Sequence, residues 1–592
     1  MKNTILSKSH PRARGLIGCC VLLFLCIFLA SPAWGTNWYV SKAGAGVKNG
    51  TSVENAWAQG SIGWASMAAG DTLYVVGVLH GLNGLTISKS GSVNNYFTIS
   101  GYDENSGIVF GPEYESASWN GPDAYGAYSI DYTNDNCKGL IEWPTASGPF
   151  GYTILTNAGK DPDNTWAAGN YYANTTSNKI YWKPVGGTIA NKTVTVGAAF
   201  TLAFDGLSWV KFTNMKLLLT PIRIGVWGSS SYIWIDHITT RYAYYYAIRI
   251  RAHQDTTGYP NDHIRISYST ISNAPEGIYS LGQVEGYDNN YVTIDHNTIT
   301  DISGSGDAHC IGFQGGDNHL IEYNDLSYCN TGITMYSSIW QSMNNSIIRY
   351  NHVHHMEKNR VLPYDVNSYG RGYGIGWEGT NPVADQMTGN QIYGNIVHDN
   401  NGFGMNIKFV SSSNYLSNNT ARANDVNYRV TGVNATYPVG GVVKNNISLN
   451  PVSYHWYVAG GHNGDLTGLT FDNNNYYPDG SLFRFGGVSY SFADWKTQVK
   501  AAGIVGYDNN SISSNPLLSN GSGTYSLISD FKPASGSPTV DRGDNTVWSG
   551  KPDIFDITGS VGITSSSGTI IAPGGVVDIG AYEVAGPEYP TK

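Results

Sequence analysis

The chain has 592 residues and a formal net charge of −10, and only 13% of its residues are charged. Gly and Tyr occur 72 and 42 times, and 41% of the residues are hydrophobic. This apolar share excludes a disordered chain, and the acidic balance argues against nucleic acid as a partner. Aromatic residues favour strands and Gly favours tight turns, so the composition predicts one extended β-rich body.

The first 35 residues have the pattern of an export signal. Lys2, Lys8, Arg12 and Arg14 precede an apolar run over residues 16–30. That run is short for a membrane span, which needs roughly twenty residues, and the small residues before position 36 predict cleavage after Gly35. An uncleaved anchor is the alternative. Cleavage predicts a protein that is secreted or held at the cell surface or in the periplasm, with no membrane span in its mature part.

Removal of the signal takes away four positive charges and moves the net charge from −10 to about −14. A polyanionic substrate then requires a local basic cleft or a bridging cation. Three cysteines remain in the mature chain: Cys137, Cys310 and Cys329. Buried thiols are the first interpretation, and a bond between Cys310 and Cys329 is the alternative if they stack on neighbouring turns. No Cys/His spacing is typical of zinc.

A short phrase recurs along the chain, as HIRISYS over 263–269 and YVTIDHN over 291–297. Copies end at residues 269, 297, 324, 351, 395, 419, 446 and 474, with gaps of 28, 27, 27, 44, 24, 27 and 28. Each copy alternates apolar and polar residues, which predicts a strand with one inward face. Most copies end in Asn, which tolerates a left-handed backbone, so we expect the repeated Asn residues to form a ladder within a turn.

A second strand signal follows about halfway through many repeats, as in Gly277-Ile278 and Gly332-Ile333. Two or three short strands per repeat, without helices, predict a coil of parallel strands stacked about 4.8 Å apart. Residues 170–182 predict a hairpin. Phe492, Trp495 and Val499 have helical spacing, with Ser491 as the expected N-cap.

With these repeats the chain resembles the pectate-lyase-like superfamily of right-handed parallel β-helix proteins secreted by bacteria. The segments WYVS at 38–41 and DIGAYE at 578–583 are similar to the entry and exit segments of such proteins. The resemblance implies an all-β solenoid with an N-terminal cap, a hairpin-type decoration and a short capping helix near the C-terminus. It implies little about activity, because this scaffold carries lyases, hydrolases, epimerases and inert adhesins.

Five segments are expected. They are a signal peptide (1–35), an N-terminal cap with the first turns (36–111), an irregular decoration (112–200), the central β-helix (201–488), and a C-terminal helix with the last turns and tail (489–592).

The gap of 44 residues marks an insertion of about 17 residues into one turn, between His355 and Gln391. Long loops on a rigid solenoid usually line the binding side, and a harmless insertion is the alternative. The inserted stretch carries Arg360, Asp365, Arg371, Tyr373, Trp377 and Glu378.

Strand alternation predicts which side chains face outward. If Ile278, Ile311, Ile333, Ile375 and Phe403 face inward, residues three positions later face outward. These are Leu281, Gln314, Tyr336, Glu378 and Asn406, with Lys408 two residues beyond. Stacked turns would place them about 5 Å apart on one face; a plain solvated face is the alternative.

The segment Asp307-Ala308-His309 is a third candidate, since His is easily poised for proton transfer near neutral pH. It resembles half of the D-P-H-[D/E] motif of alginate epimerases. A turn Asp beside a hydrogen-bonded His is the alternative.

The first hypothesis is therefore an enzyme on extracellular polysaccharide, most simply a lyase or epimerase, with a glycoside hydrolase next. The candidate catalytic residues are Asp307, His309, Tyr336, Arg371, Glu378 and Lys408. The candidate substrate-binding residues are Gln314, Asp365, Tyr373, Trp377 and Asn406. Arg371, or Ca²⁺ on Asp or Glu, would neutralise a uronate carboxylate, His309 or Lys408 would act as base, and Tyr336 as acid.

The second hypothesis is a non-catalytic, carbohydrate-binding wall or matrix protein whose Tyr and Trp residues stack on sugar rings. A surface adhesin for a protein partner is the third. In each case the chain is expected to be a monomer.

Overall fold

The computed structural model describes the following residues: 35–80, 85–109, 113–115, 118–131, 140–144, 153–154, 156–158, 162–163, 167–168, 170–174, 176–190, 192–196, 201–243, 245–252, 260–282, 288–304, 308–338, 341–358, 371–380, 387–408, 413–430, 440–458, 468–520, 525–547 and 578–581. The predicted signal segment before residue 35, Cys137, Asp307, Arg360 and Asp365 lie outside them.

Each full turn of the coil contributes one strand to each of three long sheets, here named A, B and C in the order the chain meets them. Within each sheet, neighbouring strands come from successive turns. Pairing is parallel, except for the last pair of sheet C.

Sheet A contains β1 (Asn37–Ser41), β2 (Trp57–Ala58), β3 (Thr72–Val75), β5 (Phe97–Gly101), β16 (Ser208–Thr213), β19 (Ser231–Asp236), β22 (Arg265–Ser267), β25 (Thr293–Asp295), β28 (Leu320–Glu322), β31 (Ile347–Arg349), β34 (Gln391–Tyr393), β37 (Tyr415–Ser417), β40 (Gly440–Lys444) and β43 (Gly468–Asp472).

Sheet B contains β4 (Val78–His80), β6 (Gly107–Val109), β17 (Lys216–Leu218), β20 (Thr239–Arg241), β23 (Thr270–Ala274), β26 (Thr298–Ile302), β29 (Asp325–Cys329), β32 (His352–His354), β35 (Ile396–His398), β38 (Thr420–Arg422), β41 (Ile447–Leu449) and β44 (Asn475–Tyr477).

Sheet C contains β15 (Leu202–Phe204), β18 (Ile222–Ile224), β21 (Ile248–Arg251), β24 (Ile278–Leu281), β27 (His309–Gln314), β30 (Thr331–Ser338), β33 (Ile375–Thr380), β36 (Phe403–Ile407), β39 (Val426–Val430), β42 (Tyr454–Val458), β45 (Phe483–Phe485) and β46 (Val488–Tyr490).

The core is the interior of this coil, and its side chains stack in register. Ile278, Ile311, Ile333 and Ile375 occupy paired positions on successive strands of sheet C and are fully buried. Three parallel sheets closed around such stacks confirm the predicted right-handed parallel β-helix.

The predicted Asn ladder lies at the corner between sheets A and B. Its members are Asn297, Asn324, Asn351, Asn395, Asn419, Asn446 and Asn474, all buried. In Asn324 the backbone N–H and the side-chain amide both donate to the Asn351 Oδ1, at 3.1 and 2.9 Å, and the same amide donates to the Ile294 and Glu322 carbonyls. The ladder satisfies backbone groups that no strand neighbour reaches.

The left-handed backbone, however, belongs to the residue before each ladder Asn. The φ angle is between +53° and +60° at six residues that each precede a ladder Asn: His296, Tyr323, Tyr350, Asn418, Asn445 and Asn473; no ladder Asn itself has a positive φ. The expectation that the ladder Asn takes this conformation is therefore wrong. The ladder Asn side chain is needed for its hydrogen bonds, and in the earlier turns the strained position carries rings that stack from turn to turn, such as Tyr323 on Tyr350 at 5.2 Å.

Cys310 and Cys329 form a disulfide within the core, on β27 and at the end of β29 of the neighbouring turn. For Cys310 and Cys329 the interpretation as buried free thiols is therefore wrong, and pairing across stacked turns is confirmed.

The decoration interrupts the coil between β6 and β15, yet the coil continues across it because β5 pairs with β16 and β6 with β17. It holds two small sheets. Their strands are β7 (Glu113–Glu115), β8 (Tyr128–Asp131), β9 (Leu140–Pro144), β10 (Thr153–Ile154), β11 (Thr156–Asn157), β12 (Asn170–Asn174), β13 (Lys179–Trp182) and β14 (Lys192–Val196). β12 and β13 pair antiparallel, which confirms the predicted hairpin.

The ends of the coil are covered. The predicted capping helix is present as α1 (Phe492–Ala501), and the Ser491 side chain accepts from the Asp494 N–H as its N-cap. Phe492, Trp495 and Val499 face the core. Short 3₁₀ turns lie at Val53–Asn55, Gln59–Ser61, Trp64–Ser66, Ile528–Phe531 and Asn545–Val547.

The chain after α1 folds back over the outside of sheet B. Leu518, Tyr525 and Phe531 pack there on Ile447 and Leu449, in an apolar cluster separate from the interior of the coil. Among the described residues, no helix is long and apolar enough to cross a membrane.

Candidate active site: a trough on the outer face of sheet C

The outer face of sheet C carries two columns of side chains. The central column runs Arg223, Arg249, Tyr279, Gly312, Thr334, Gly376, Asn406, Arg429, Tyr457 and Arg484 through paired positions. The rim column, two residues later, runs Arg251, Leu281, Gln314, Tyr336 and Glu378. Lys408 continues it, because its N–H bonds the Trp377 carbonyl.

The side chains of the central column are short between Tyr279 and Asn406, where Gly312, Thr334 and Gly376 follow one another. A Cβ at Gly376 would meet no heavy atom closer than 3.6 Å, so this position has room for a small side chain, whereas a Cβ at Gly312 would meet the Tyr279 ring at 2.6 Å and the His309 ring at 3.1 Å. Four strand steps separate Tyr279 from Asn406, or about 19 Å at the usual strand spacing. We call this depression, with the rim from Gln314 to Lys408, the sheet C trough.

Both carboxylate oxygens of Glu378 accept hydrogen bonds from other residues of the trough. Glu378 is 5% exposed, its Oε2 accepts from Arg371, and its Oε1 accepts from the Asn406 amide at 2.7 Å. Asn406 also accepts from Arg429 at 3.3 Å. These contacts bring together three residues singled out in the sequence, Arg371, Glu378 and Asn406, and fix them as one network.

Lys408 stands beside this network, at the rim. Burial lowers the pKa of the Lys408 ammonium, the nearby Glu378 carboxylate opposes that change, and Arg371 and Arg429 add to it. A lowered lysine pKa increases the share of neutral amine, which is the form that accepts a proton.

Tyr373 lies on the opposite side of the trough from the rim column. Its ring is 5.0 Å from Phe403, and the Arg371 guanidinium lies 5.9 Å from its centre. Gln314 and Tyr336 continue the rim, and the Tyr279 hydroxyl donates to Gln314 at 3.3 Å.

His309 lies at the other end of the trough, two turns from Glu378. Its ring stacks on Tyr279 at 5.8 Å, and its Nδ1 is 3.5 Å from the Glu276 carboxylate. The structure therefore places His309 on the same face but away from the Glu378 network. Its proposed partner Asp307 lies outside the described residues, as does Asp365.

Two sequence assignments fail. Phe403 does not occupy the inward position equivalent to Ile375; that position belongs to Met405, which is fully buried, because β36 pairs two residues further along. Trp377 is 3% exposed and packs inside the coil, since it alternates with the outward Gly376 and Glu378. Its ring is therefore not presented to the trough.

The described strands of sheet C carry five arginines and one carboxylate. The arginines are Arg223, Arg249, Arg251, Arg429 and Arg484, and the carboxylate is Glu378. Arg371 and Lys408 add two cations beside these strands. The strands of this face are therefore richer in cations than the chain as a whole, which is acidic, even though Asp205 pairs with Arg223 and Glu276 lies 3.5 Å from His309.

Aromatic rings accompany the arginines. The Arg429 guanidinium lies 4.7 Å from the centre of Phe403 and 5.5 Å from that of Tyr457, and Arg249 lies 5.3 Å from Tyr246. Sequence analysis missed these arginines. The sequence pattern that could have indicated them is the I-R-I-R run of β21 together with the single Arg of β39. These residues are seen to share one face only when the turns are aligned.

Asp288 is another residue that sequence analysis missed. It follows the trough strand β24, and a Cβ at Gly315 would lie 2.7 Å from its Oδ1. Burial and, to a smaller extent, the charge of Asp317 raise its pKa to about 7. A carboxyl group that holds its proton near neutral pH is suited to acid–base chemistry, and it lies beside the residue after Gln314.

Comparison with known proteins supports the fold. A family model described as the right-handed beta helix region matches residues 223–421. No curated protein matches the sequence.

Several solved structures resemble this chain at low identity. The complex of XylC with xylose has a TM-score of 0.47 at 11% identity, over 74% of this chain and 83% of that one. Pectate lyase Pel9A has a TM-score of 0.44 at 13% identity, over 94% of this chain and 98% of that one. A glycoside hydrolase has a TM-score of 0.44 at 10% identity, over 72% of this chain and 95% of that one.

Proposed function

We propose that this protein is an exported enzyme that removes the proton α to the carboxyl group of a uronate in an acidic polysaccharide. The reaction then continues as a lyase or as an epimerase. The observation that carries the proposal is the contrast between an acidic chain and a trough face whose described strands hold five arginines and one carboxylate.

The charge of the trough fits a polyanion better than a neutral glycan. Arg249 and Arg251 stand at one end and Arg429 and Arg484 at the other. A chain of uronates laid along the strand stack would meet cations at both ends and the short side chains at Thr334 and Gly376 between them. Phe403 and Tyr457 beside Arg429 add apolar surface for sugar rings.

The residues around Glu378 supply the groups that the reaction needs. Arg429, and Arg371 held by Glu378, would neutralise the substrate carboxylate and stabilise the carbanion that follows proton loss. Lys408, with its lowered pKa, would take the proton as base. Tyr336 would donate its hydroxyl proton, either to the leaving glycosidic oxygen in a lyase or to the opposite face of the carbanion in an epimerase.

The experiment is an assay of the mature protein on a panel of polyuronates. A lyase gives an unsaturated product with ultraviolet absorbance, and an epimerase incorporates deuterium from heavy water without chain cleavage. We expect Lys408→Met and Tyr336→Phe each to lower kcat by at least about a hundredfold, the usual contribution of a general acid or base. The exposed Lys500→Met in the last turn of α1 and the exposed Tyr507→Phe are matched controls that should keep full activity.

Turnover on the panel that survives both Lys408→Met and Tyr336→Phe would contradict these roles. New reducing ends without unsaturation would instead indicate a hydrolase. Tight binding of polyuronate without any turnover would favour the second candidate, a non-catalytic binding protein. The observation that favours this second candidate is that both carboxylate oxygens of Glu378 already accept hydrogen bonds, from Arg371 and Asn406, as in a structural rather than a catalytic carboxylate.

Export suits this function. The disulfide between Cys310 and Cys329 fits an oxidising compartment outside the cytoplasm, where such bonds form and persist.

A further inference from the structure

A compact group of histidines lies on the outer face of sheet B, away from the trough. It comprises His352 and His354 on β32, His398 on β35 and Asp325 on β29, three successive turns. Asp325 pairs with His352, and His354 pairs with His398. Sequence analysis found no zinc-like spacing, because Asp325 and the histidines belong to different turns and meet only when the strands stack.

Two histidine nitrogens converge on one carboxylate oxygen. Asp325 Oδ1 lies 3.1 Å from His352 Nδ1 and 3.2 Å from His354 Nε2. All three atoms lie within 4.8 Å of one another. Bonds of about 2.1 Å from one ion would separate two ligand atoms by up to about 4.2 Å, so the group is of the right size for a single ion.

The hydrogen bonds behind the group fix which nitrogen of His352 carries a proton. His398 Nδ1 is 2.7 Å from the Asp399 carboxylate, which Arg422 also contacts, so this nitrogen donates and His398 Nε2 is left as an acceptor. His352 Nε2 lies 2.8 Å from that acceptor and must donate to it. In neutral His352, the lone pair of Nδ1 therefore points at the Asp325 carboxylate.

Two acceptors facing each other at 3.1 Å repel unless a cation lies between them. Either His352 is doubly protonated or a metal ion takes the place of the proton. An orienting hydrogen bond from the far nitrogen of a ligand histidine to another group is the usual arrangement in metal sites.

The group is partly covered by the chain after α1 and partly open to solvent. His352 and His398 are nearly fully buried, and the Phe531 ring from the chain after α1 packs on both, at 6.4 and 4.7 Å. The Asp325 side chain is about half exposed, so an ion and its water can enter from solvent.

We propose that Asp325 Oδ1, His352 Nδ1 and His354 Nε2 bind one divalent transition-metal ion, with His398 as the residue that positions His352. Imidazole ligands suit zinc, nickel or copper and not the oxygen-seeking Ca²⁺. Three protein ligands leave one position of a tetrahedral ion to water. The ion joins β29 to β32 beneath the packed C-terminal segment. The proposal does not depend on the proposed function of the trough.

The test uses the mature protein stripped with a chelator and titrated with Zn²⁺ by calorimetry and with Co²⁺ by visible absorption. We expect one equivalent to bind, with a rise in Tm. His354→Gln, His352→Gln and Asp325→Asn should each weaken binding at least tenfold. His263→Gln is the matched control, because His263 also contacts a carboxylate, Asp262 at 2.9 Å, but belongs to no group of three such ligands among the described residues.

Absence of stoichiometric binding, or equal affinity in all three variants, overturns the proposal. Circular dichroism of the metal-free variants separates lost ligands from lost structure. If the variants do not fold, anomalous scattering at the zinc edge from crystals of the unmodified protein decides. An ion between the three atoms supports the site, and an ion found only elsewhere, or none, overturns it.

Discussion

At the scale of single residues, Asp288 shows how burial makes a carboxyl group sensitive to pH near neutrality. Its Oδ1 has no hydrogen-bond partner among the described residues, and the missing Cβ atoms of Gly282 and Gly315 make room for it. Burial is the main cause of its raised pKa of about 7, and Asp317 adds to it.

This shift predicts a pH-dependent stability. A carboxyl group with a raised folded-state pKa stabilises the fold below pH 4, and that contribution is lost as the pH rises through 7. The Asp288→Asn variant, which mimics the protonated acid, should match the parent at pH 4 and exceed it at pH 8. The gain should not exceed about 1.4 kcal/mol per unit of pKa shift, and urea unfolding at both pH values measures it.

The exposed Glu104→Gln is the control, since it removes a carboxylate that lies in solvent. If Asp288→Asn had the same effect at pH 4 and pH 8, the raised pKa would be wrong.

Residue identities in the trough were only partly predictable from the sequence. Gln314, Tyr336 and Glu378 follow from alternation, because each lies three residues after an inward Ile that the repeat marks. Asn406 and Lys408 were placed on the correct face although Phe403 was taken as their inward reference in error. Arg429 and Asp288 carry no local pattern, and only the alignment of turns or the burial of a loop reveals them.

At the scale of elements, the Asn ladder is the device that holds the corner between sheets A and B. Asn324 accepts from Asn297 and donates to Asn351 and to two carbonyls. Replacing it leaves buried backbone groups without partners, each costing about 1–3 kcal/mol.

Asn324→Ala should therefore lower the free energy of unfolding by about 3 kcal/mol or more, as measured in guanidinium. The exposed Asn509→Ala serves as the control. A loss below about 0.5 kcal/mol, the range of ordinary surface substitutions, would mean that the ladder does not stabilise the coil.

The elements were more predictable than the site. The repeat phrase gives the strands of sheet A and the ladder, because burial imposes alternation on every turn. The His352 group was not predicted, since its residues belong to separate turns whose register crosses the insertion. The predicted conformation of the ladder Asn was also wrong. At this corner the residue before the Asn takes the left-handed conformation, and the Asn itself makes the hydrogen bonds.

At the scale of the whole molecule, charge is distributed unevenly. The chain is acidic overall, while the outer face of sheet C presents its arginines along the stacked turns. Such a face attracts a polyanion from a distance and holds it less well as salt screens the interaction. Part of the outer face of sheet B is covered by the C-terminal segment.

The most direct test is a calorimetric titration of the mature protein with a uronate oligosaccharide and with its carboxyl-reduced, neutral counterpart. The same titration is run on Gly376→Leu, which fills the floor of the trough, and on Gly60→Leu, a control at a glycine with no heavy atom within 4 Å of a Cβ. We predict binding of the acidic ligand alone, weakened by salt, lost in Gly376→Leu and kept in Gly60→Leu. Equal affinity for both ligands, or unchanged binding by Gly376→Leu, would contradict the trough as the site for an acidic polysaccharide.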